Sequence, residues 1–312
     1  MRIRSMLVAA VLLLAASCAA PEPDPGQPGP VNPAIAPSGG QPAADSARPP
    51  ADPQARRVGI VILECDKHLR SWTDLMALPR DLDNQQKIGT LSIAFGSLVA
   101  KNREILEAQV IGGEARNRGI ASAALGFCGD PAVAPLIANN VSSEDADVAA
   151  KALLGLGVLC AEDTPLAPIL AAVTRADATE ALLSNAAFCL FQLAIKLKRD
   201  PDGSLTAAFV ELLRDPEPTI RAQAVIGLGL VKARTALPQI SDILAADPVP
   251  TMRTTAAYAL GQIGAPESVA ALISALSDPD DVTAGTARAS LARIFGRDFG
   301  PQPAAWRAAQ PK

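Results

Sequence analysis

The sequence predicts an all-α protein, an array of about seven stacked helical hairpins. Two observations predict it: a leucine or phenylalanine followed by a small residue returns at steps just above thirty residues, and proline-containing turns separate segments of helical periodicity. No segment alternates apolar and polar residues between hairpin turns, so a β-sheet is not expected. The one run that resembles a strand, VGIVILEC at 58–65, is predicted to begin an N-terminal helix.

The repeated motif occurs six times. It reads AFG at 94–96, ALG at 124–126, GLG at 155–157, GLG at 227–229, ALG at 259–261 and SLA at 290–292. The widest gap holds a degenerate unit around NAAFCLFQLA at 185–194, which the insertion KLKRDPDG lengthens before its second helix. Counting this unit gives about seven hairpins. Their second helices are predicted to begin near Pro131, Pro165, Ser204, Ala236 and Pro266.

The two clearest copies are DPEPTIRAQAVIGLG at 215–229 and DPVPTMRTTAAYALG at 247–261. Asp215 and Asp247 each precede a proline and fit a turn that ends one helix. Pro218 and Pro250 suit the first turn of the next helix, because proline there sacrifices no helical hydrogen bond. The threonine after each of these prolines is expected to supply a capping oxygen. Helix breaking is therefore part of the repeat.

The DPxPTxR turn and the ALGxIG ending resemble HEAT repeats, specifically the phycobilisome-lyase-like variety, over residues 83–295. The resemblance implies a right-handed α-solenoid with first helices on the convex side and second helices on the concave side. It also implies a ladder of aspartates and arginines between neighbouring units. The matching positions are Asp215, Arg221, Asp247 and Arg253. Lys151 is interpreted as a stand-in one unit earlier, while Ser184 and Ala284 lie near the position elsewhere, so the ladder is expected to be partial.

The amino end has the layout of an export signal over residues 1–17. Arg2 and Arg4 precede the apolar stretch 6–16, and small residues follow. Cys18 after LLLAAS resembles the lipidated cysteine of bacterial lipoproteins, which implies a lipid anchor. An ordinary cleavage site that discards Cys18 is the alternative. Both predict export, and the first places the protein at the bacterial cell envelope, on the outer membrane or facing the periplasm.

Three further segments follow the signal. Residues 18–54 carry Cys18 and a linker rich in proline, alanine and glycine, a composition that cannot offset its ordering entropy. Residues 55–82 are predicted to form an N-terminal helical cap, and 83–295 the repeat array. In the tail 296–312, Phe299 and Trp306 are expected to cover the last hairpin, because terminal repeats need caps.

Composition narrows the functional classes. The chain has 312 residues, a net charge of -4 and one histidine, His68. An acidic balance gives no general attraction to nucleic acid, and one histidine cannot build a multi-histidine metal centre. Cys65 and His68 have a CxxH spacing, but without a second ligand pair an ordinary helical position is favoured. Cys128, Cys160 and Cys189 sit among apolar residues and are predicted to pack as free thiols.

No constellation predicts catalysis or a cofactor. The glycines recur with the repeat and fit close helix packing better than a phosphate loop. The carboxylate pairs Glu144–Asp145 and Asp280–Asp281 fall in turns, where acidic residues cap helices. The chain is therefore predicted not to be an enzyme.

The expected function is a membrane-tethered, non-enzymatic scaffold that holds an unidentified protein along its concave face. Candidate contact residues, chosen from the register of the second helices, are Asn139, Asn140, Arg175, Gln239, Asp242 and Ser274. The alternative is a lyase-like or cofactor-handling protein acting on a bound small molecule, suggested by relatives of the same repeat type. A purely structural envelope component is a third possibility.

Overall fold

The computed structural model describes residues 52–79, 81–200 and 202–310. Over these ranges the chain is helical and contains no strand, which confirms the predicted all-α solenoid. The predicted signal peptide, Cys18 and nearly all of the linker lie outside the described residues.

Most helices after Lys101 have 15 residues or fewer, as expected for hairpin repeats. In chain order they are α1 Pro53–Ala77, α2 Leu82–Lys101, α3 Arg103–Gly112, α4 Ala115–Leu125, α5 Ala134–Ala138, α6 Ala146–Leu159, α7 Leu166–Val173, α8 Glu180–Leu197, α9 Ser204–Leu212, α10 Pro218–Leu230, α11 Leu237–Ala246, α12 Pro250–Ile263, α13 Val269–Ala275, α14 Asp281–Phe295 and α15 Pro303–Ala308. Short 3₁₀ turns precede α5, α11 and α13, at Pro131–Val133, Arg234–Ala236 and Pro266–Ser268.

The first helices α4, α6, α8, α10, α12 and α14 pack side by side in one row. The second helices α5, α7, α9, α11 and α13 each pack against the first helix of the next hairpin. One continuous core runs from Val61 in α1 to Trp306 in α15. Stacking produces this continuity because a single hairpin cannot bury its own apolar stripe.

The turns between hairpins use aspartate and proline as predicted, but the helix cap differs. Asp215 Oδ1 accepts from the amide of Glu217 at 2.8 Å, which closes the turn. Glu217 is the N-cap of α10, and its carboxylate accepts from the amide and hydroxyl of Thr219. The prediction that the threonine supplies the cap is therefore wrong. Proline is the first helical residue, so the threonine after it already lies inside the first turn.

Glycines of the repeat motif let neighbouring first helices approach closely. A Cβ atom at Gly155 of α6 would overlap the carbonyl oxygen of Ser122 in α4. A Cβ at Gly157 would lie 2.7 Å from the ring of Phe188 in α8. The GLG motif is thus a packing signature, since only glycine leaves room for the neighbouring helix.

The N-terminal helices form a hairpin that packs against the array. Trp72 Nε1 in α1 donates to Ser92 Oγ in α2 at 3.1 Å. Asp66 of α1 pairs with Arg116 of α4 at 3.3 Å. The predicted cap, residues 55–82, corresponds to α1 alone, and α2 pairs with it.

The C-terminal tail covers the last unit with aromatic rings. Trp306 is fully buried, and its Nε1 donates to the carbonyl of Gly300 at 2.7 Å. Its ring centroid lies 5.5 Å from Phe295 and 5.1 Å from Phe299. The helix α15 rests on α13, so the tail buries apolar surface that would otherwise be exposed at this end of the stack.

Candidate functional site

Arginines link the turns of successive hairpins. Arg253 makes two hydrogen bonds of 2.8 Å to the carboxylate of Asp278 and donates to the carbonyl of Asp247 at 3.0 Å. Arg221 repeats this one unit earlier, with Nη1 2.9 Å from the carbonyl of Asp215 and Nη2 3.5 Å from Asp247 Oδ2. Each arginine therefore joins the aspartate carbonyl of its own turn to the aspartate carboxylate of the next. Sequence reasoning missed Asp278, although it too precedes a proline.

Arg175 makes the same pair of contacts from a different position in the chain. The ladder arginine stands four residues after the helix N-cap, and in α6 that position is Ala149. Arg175, in the turn before α8, donates to the carbonyl of Ser143 at 2.8 Å and holds the carboxylate of Asp177. The Arg175 guanidinium thus joins two repeat units. The sequence had predicted a contact with a partner protein, because of the position of Arg175 relative to the second helix. Lys151 pairs with Asp147 within α6 and joins no turns.

The first rung of the ladder lacks its carboxylate. Arg118 stands four residues after the N-cap of α4, in register with Arg221 and Arg253. Its Nε is buried and has no hydrogen-bond partner within the described residues. At the aspartate position of the following turn the chain has Ser143.

The other predicted contact residues divide into two groups. Asn140 is used internally, because its amide donates to the carbonyl of Val110 and to Ser122 Oγ at 3.1 and 3.0 Å. The remaining four are exposed on second helices or directly after them. They are Asn139, Gln239, Asp242 and Ser274.

A cleft of about 610 Å³ opens between α8 and the tip of the hairpin formed by α1 and α2. Sixteen side chains line it and none carries a charge. The ring of Trp72 lies 5.4 Å from that of Phe127 and 6.3 Å from that of Phe188, and Phe191 adds a fourth aromatic side chain. This surface is called the aromatic cleft below.

One polar group of the aromatic cleft has no partner within the described chain. Asn185 donates to the carbonyl of Ala150 at 2.9 Å, which ties α8 to α6. Gln223 of α10 also lines the cleft, and its Oε1 is buried without a hydrogen bond. A buried acceptor left unsatisfied costs about 1–3 kcal/mol.

The helix α8 is apolar on more than one face. Among the described helices it alone has the length and composition needed to cross a membrane, yet it packs between α6 and α10. Its buried face holds Leu190 and Leu193, and its opposite face presents Phe191 and Ile195 to the aromatic cleft. One apolar stripe of α8 faces the core, and residues of the second stripe line the cleft. The apolar run NAAFCLFQLA, interpreted from the sequence only as a degenerate repeat, was the signal for it.

The cysteines and the histidine are parts of the packing. His68 stacks on Phe95 with ring centroids 5.1 Å apart, and its Nδ1 lies 2.9 Å from the carbonyl of Glu64. Burial, followed by the nearby Glu64 charge, raises the pKa of Cys65 to about 12, so this thiol stays protonated. Within residues 52–79, 81–200 and 202–310, no three side chains of His, Cys, Asp or Glu come together as a metal site would require. The four cysteines of these ranges are free thiols.

Comparison with known proteins identifies the repeat. A family model described as HEAT repeats matches residues 206–292, which run from α9 into α14. The fold defines the class of protein as an α-solenoid, and residues 206–292 of it are similar to HEAT repeats. No curated protein matches the sequence.

Solved structures with a similar arrangement were also found. Human deoxyhypusine hydroxylase in complex with glycerol is 20% identical over 78% of this chain and 98% of its own, with a TM-score of 0.38. An engineered protein is 15% identical over 78% and 71%, with a TM-score of 0.49. The CpcE and CpcF complex of phycocyanin lyase from Nostoc is 14% identical over 83% and 92%, with a TM-score of 0.36.

Proposed function

We propose that this chain is a non-enzymatic scaffold that holds a partner protein along its second helices. The observation that supports the scaffold is how the side chains are used. The arginines at the turns, Arg175, Arg221 and Arg253, are engaged between units. The polar side chains on second helices, such as Gln239 and Asp242, stand exposed. Repeat proteins recognise partners through such extended surfaces without changing their fold.

We further propose that lipid on Cys18 tethers the protein to the bacterial cell envelope. The basic start, the apolar stretch 6–16 and the small residues before Cys18 support export and lipidation. Metabolic labelling with palmitate tests the anchor. The full chain should incorporate label and sediment with membranes, and Cys18→Ser should do neither. Equal recovery of both proteins in the soluble fraction would contradict the tether.

Site-specific photo-crosslinking in cells tests the scaffold. A photoreactive amino acid at Gln239 or Asn139 should give the same protein adduct in repeated experiments. The matched control is Arg293, which is exposed on the first helix α14. An adduct from Arg293 but not from the second helices would contradict the proposed surface. A purified protein that retains a metal or a coloured cofactor would favour the cofactor-handling alternative.

A further inference from the structure

We propose that one face of α1 docks on a membrane that contains anionic phospholipid, and that a cleft beside this face binds the lipid phosphate. The face consists of Arg56, Ile60, Leu63, Lys67 and Arg70 and is called the outer face of α1 below. The inference rests on the proposed lipid anchor, because it names the surface on which the anchored array lies. α1 is separate from the second helices that are proposed to hold the partner protein.

The outer face is a single stripe of the helix. At about 100° per residue, its five side chains lie within an arc of about 80°. The buried residues of α1, among them Val61, Cys65 and Trp72, lie on the opposite side. All five side chains of the outer face are exposed, and Ile60 and Leu63 keep 51% and 50% of their surface in solvent. The core of the array therefore does not use this face.

Basic residues flank the two apolar side chains of the outer face. Arg56 precedes them, next to the equally exposed Arg57, and Lys67 and Arg70 follow them. Arg70 pairs with Asp66, whereas Arg56, Arg57 and Lys67 form no ion pair with the described residues. Cations attract anionic headgroups, and exposed apolar side chains enter the boundary between headgroups and acyl chains. The outer face combines both features on one stripe.

A cleft at the start of α1 adds a site for one phosphate group. It measures about 360 Å³ and lies between α1 and the carboxyl end of α2. Arg56, Arg57 and Lys101 line it, and Glu64 is the one acid among its lining residues. Three cations against one carboxylate favour an anion, and a guanidinium can donate to two phosphate oxygens at once. Apolar walls that include Leu98 suit an amphiphile better than a free ion.

The position of α1 in the chain favours a membrane over other polyanions. Residues 19–51 join Cys18, the proposed site of lipid, to the start of α1, so the outer face belongs to the first described helix after the anchor. An anchor raises the effective concentration of this face at the bilayer, which makes weak contacts sufficient. Nucleic acid would engage the arginines but would leave Ile60 and Leu63 without an apolar contact, since phosphates dominate its surface.

Sedimentation with vesicles tests the outer face. The probe is the chain 19–312, which keeps the whole continuous core and lacks both the apolar stretch 6–16 and Cys18. It should bind vesicles of phosphatidylglycerol and phosphatidylcholine more tightly than vesicles of phosphatidylcholine alone. Binding should weaken as sodium chloride is added, because salt screens the attraction between the arginines and the headgroups.

A paired substitution tests the contribution of charge. Arg56→Gln with Arg57→Gln should weaken binding to the anionic vesicles about 25-fold, about fivefold for each charge lost, and should reduce its dependence on salt. The matched control is Arg293→Gln with Arg307→Gln. It removes the same charge from exposed positions near the other end of the chain and should leave binding unchanged.

A second pair tests the apolar contact. Ile60→Ser with Leu63→Ser should weaken binding to the same vesicles but leave its salt dependence unchanged, because the charges remain in place. Circular dichroism and the Tm should match those of the wild-type chain for both pairs, since all four side chains are exposed. A change in vesicle binding then reports on the outer face and not on folding.

Four outcomes would overturn the docking. They are equal binding to anionic and neutral vesicles, equal binding by the wild type and the Arg56 and Arg57 variant, calorimetric binding of inorganic phosphate without binding of vesicles, and tighter binding of an RNA oligonucleotide than of vesicles. Palmitate labelling of the full chain is independent of this assay. Label on Cys18 without vesicle binding overturns only the docking. Vesicle binding by 19–312 without label on the full chain overturns only the lipid anchor.

Discussion

At the scale of single residues, the ladder shows that a position in space matters more than a position in the sequence. Arg253 and Arg175 both join a backbone carbonyl of one turn to a carboxylate of the next. Arg253 reaches them from within a first helix, and Arg175 from the turn before one. The repeat register predicted Arg253, because its aspartate and proline neighbours recur. It could not predict Arg175. The ladder position of α6 is Ala149, and which other side chain comes close enough to contact both turns depends on the tertiary structure.

Completing the first rung should stabilise the protein. In a complete rung, Asp247 accepts from Arg253 through its carbonyl and faces Arg221 of the preceding unit through its carboxylate. The carbonyl of Ser143 already accepts from Arg175, so a carboxylate at position 143 should face Arg118 of the preceding unit. Ser143→Asp is expected to raise the free energy of unfolding by about 0.5–1 kcal/mol, the range of a partly exposed pair. Urea denaturation measures it. Ser142→Asp adds the same charge at an exposed neighbouring position and should change nothing.

The Arg253–Asp278 pair should make stability depend on acid pH. The hydrogen bonds from Arg253, aided by the amide of Asp280, hold the pKa of Asp278 below its ordinary value of 3.8. The unfolded chain therefore binds this proton more readily than the folded protein. The contribution is present above pH 3.8 and is lost as the pH falls through the folded pKa.

Asp278→Asn isolates this contribution. The Tm difference between wild type and Asp278→Asn should be largest near neutral pH and shrink as the pH falls below about 4. Thermal unfolding from pH 7 to pH 2 measures it. A Tm difference that stays constant over this range would show that the carboxylate charge contributes nothing.

At the scale of helices, local pattern and packing requirement agree at most positions. Pro218 and Pro250 begin α10 and α12 as predicted, and the second helices begin within a few residues of their predicted starts. Turn chemistry and the spacing of apolar residues are set by neighbours in the chain, so the sequence reveals them. The capping oxygen of α10 was expected from Thr219, but it comes from Glu217, two residues earlier. Proline and threonine are both favoured near the start of a helix, so their propensities alone do not decide which residue is the N-cap.

Two helical glycines should respond in opposite ways to alanine. Gly155→Ala gains helix propensity worth about 1 kcal/mol, but its Cβ would overlap the carbonyl of Ser122. Overpacking against backbone costs about 1–3 kcal/mol, so the substitution should destabilise the protein. Gly285 in α14 has open space around its Cβ position, and Gly285→Ala should stabilise by about 0.5–1 kcal/mol. Equal signs in urea denaturation would refute the packing role of the motif.

At the scale of the whole molecule, stability is expected to be local, because repeat units contact only their neighbours. Among the described residues, the N-terminal hairpin departs from this pattern. Trp72 of α1 reaches Phe127 after α4 and Phe188 in α8, so the N-terminal hairpin connects non-adjacent units. At the C-terminal end, the tail with Trp306 covers the last unit.

Removing Trp306 should therefore loosen one end of the array. Trp306→Ala deletes a fully buried ring and is expected to cost about 3–5 kcal/mol. Hydrogen exchange should accelerate in α13 and α14 and remain unchanged in α4 and α6, since the loss is shared only with adjacent units. Uniform acceleration along the chain would instead show that the array unfolds as one cooperative body.

The sequence by itself determined the helical class, the spacing of the repeats, the turns and the ladder residues of the two clearest copies, Asp215, Arg221, Asp247 and Arg253. These depend on residues close together in the chain, whose periodicity and turn propensity act locally. Only the tertiary structure decided that Arg175 replaces a missing rung and that Trp72, Phe127 and Phe188 meet in one cleft. Those contacts join side chains distant in the chain, and stacking alone brings them together.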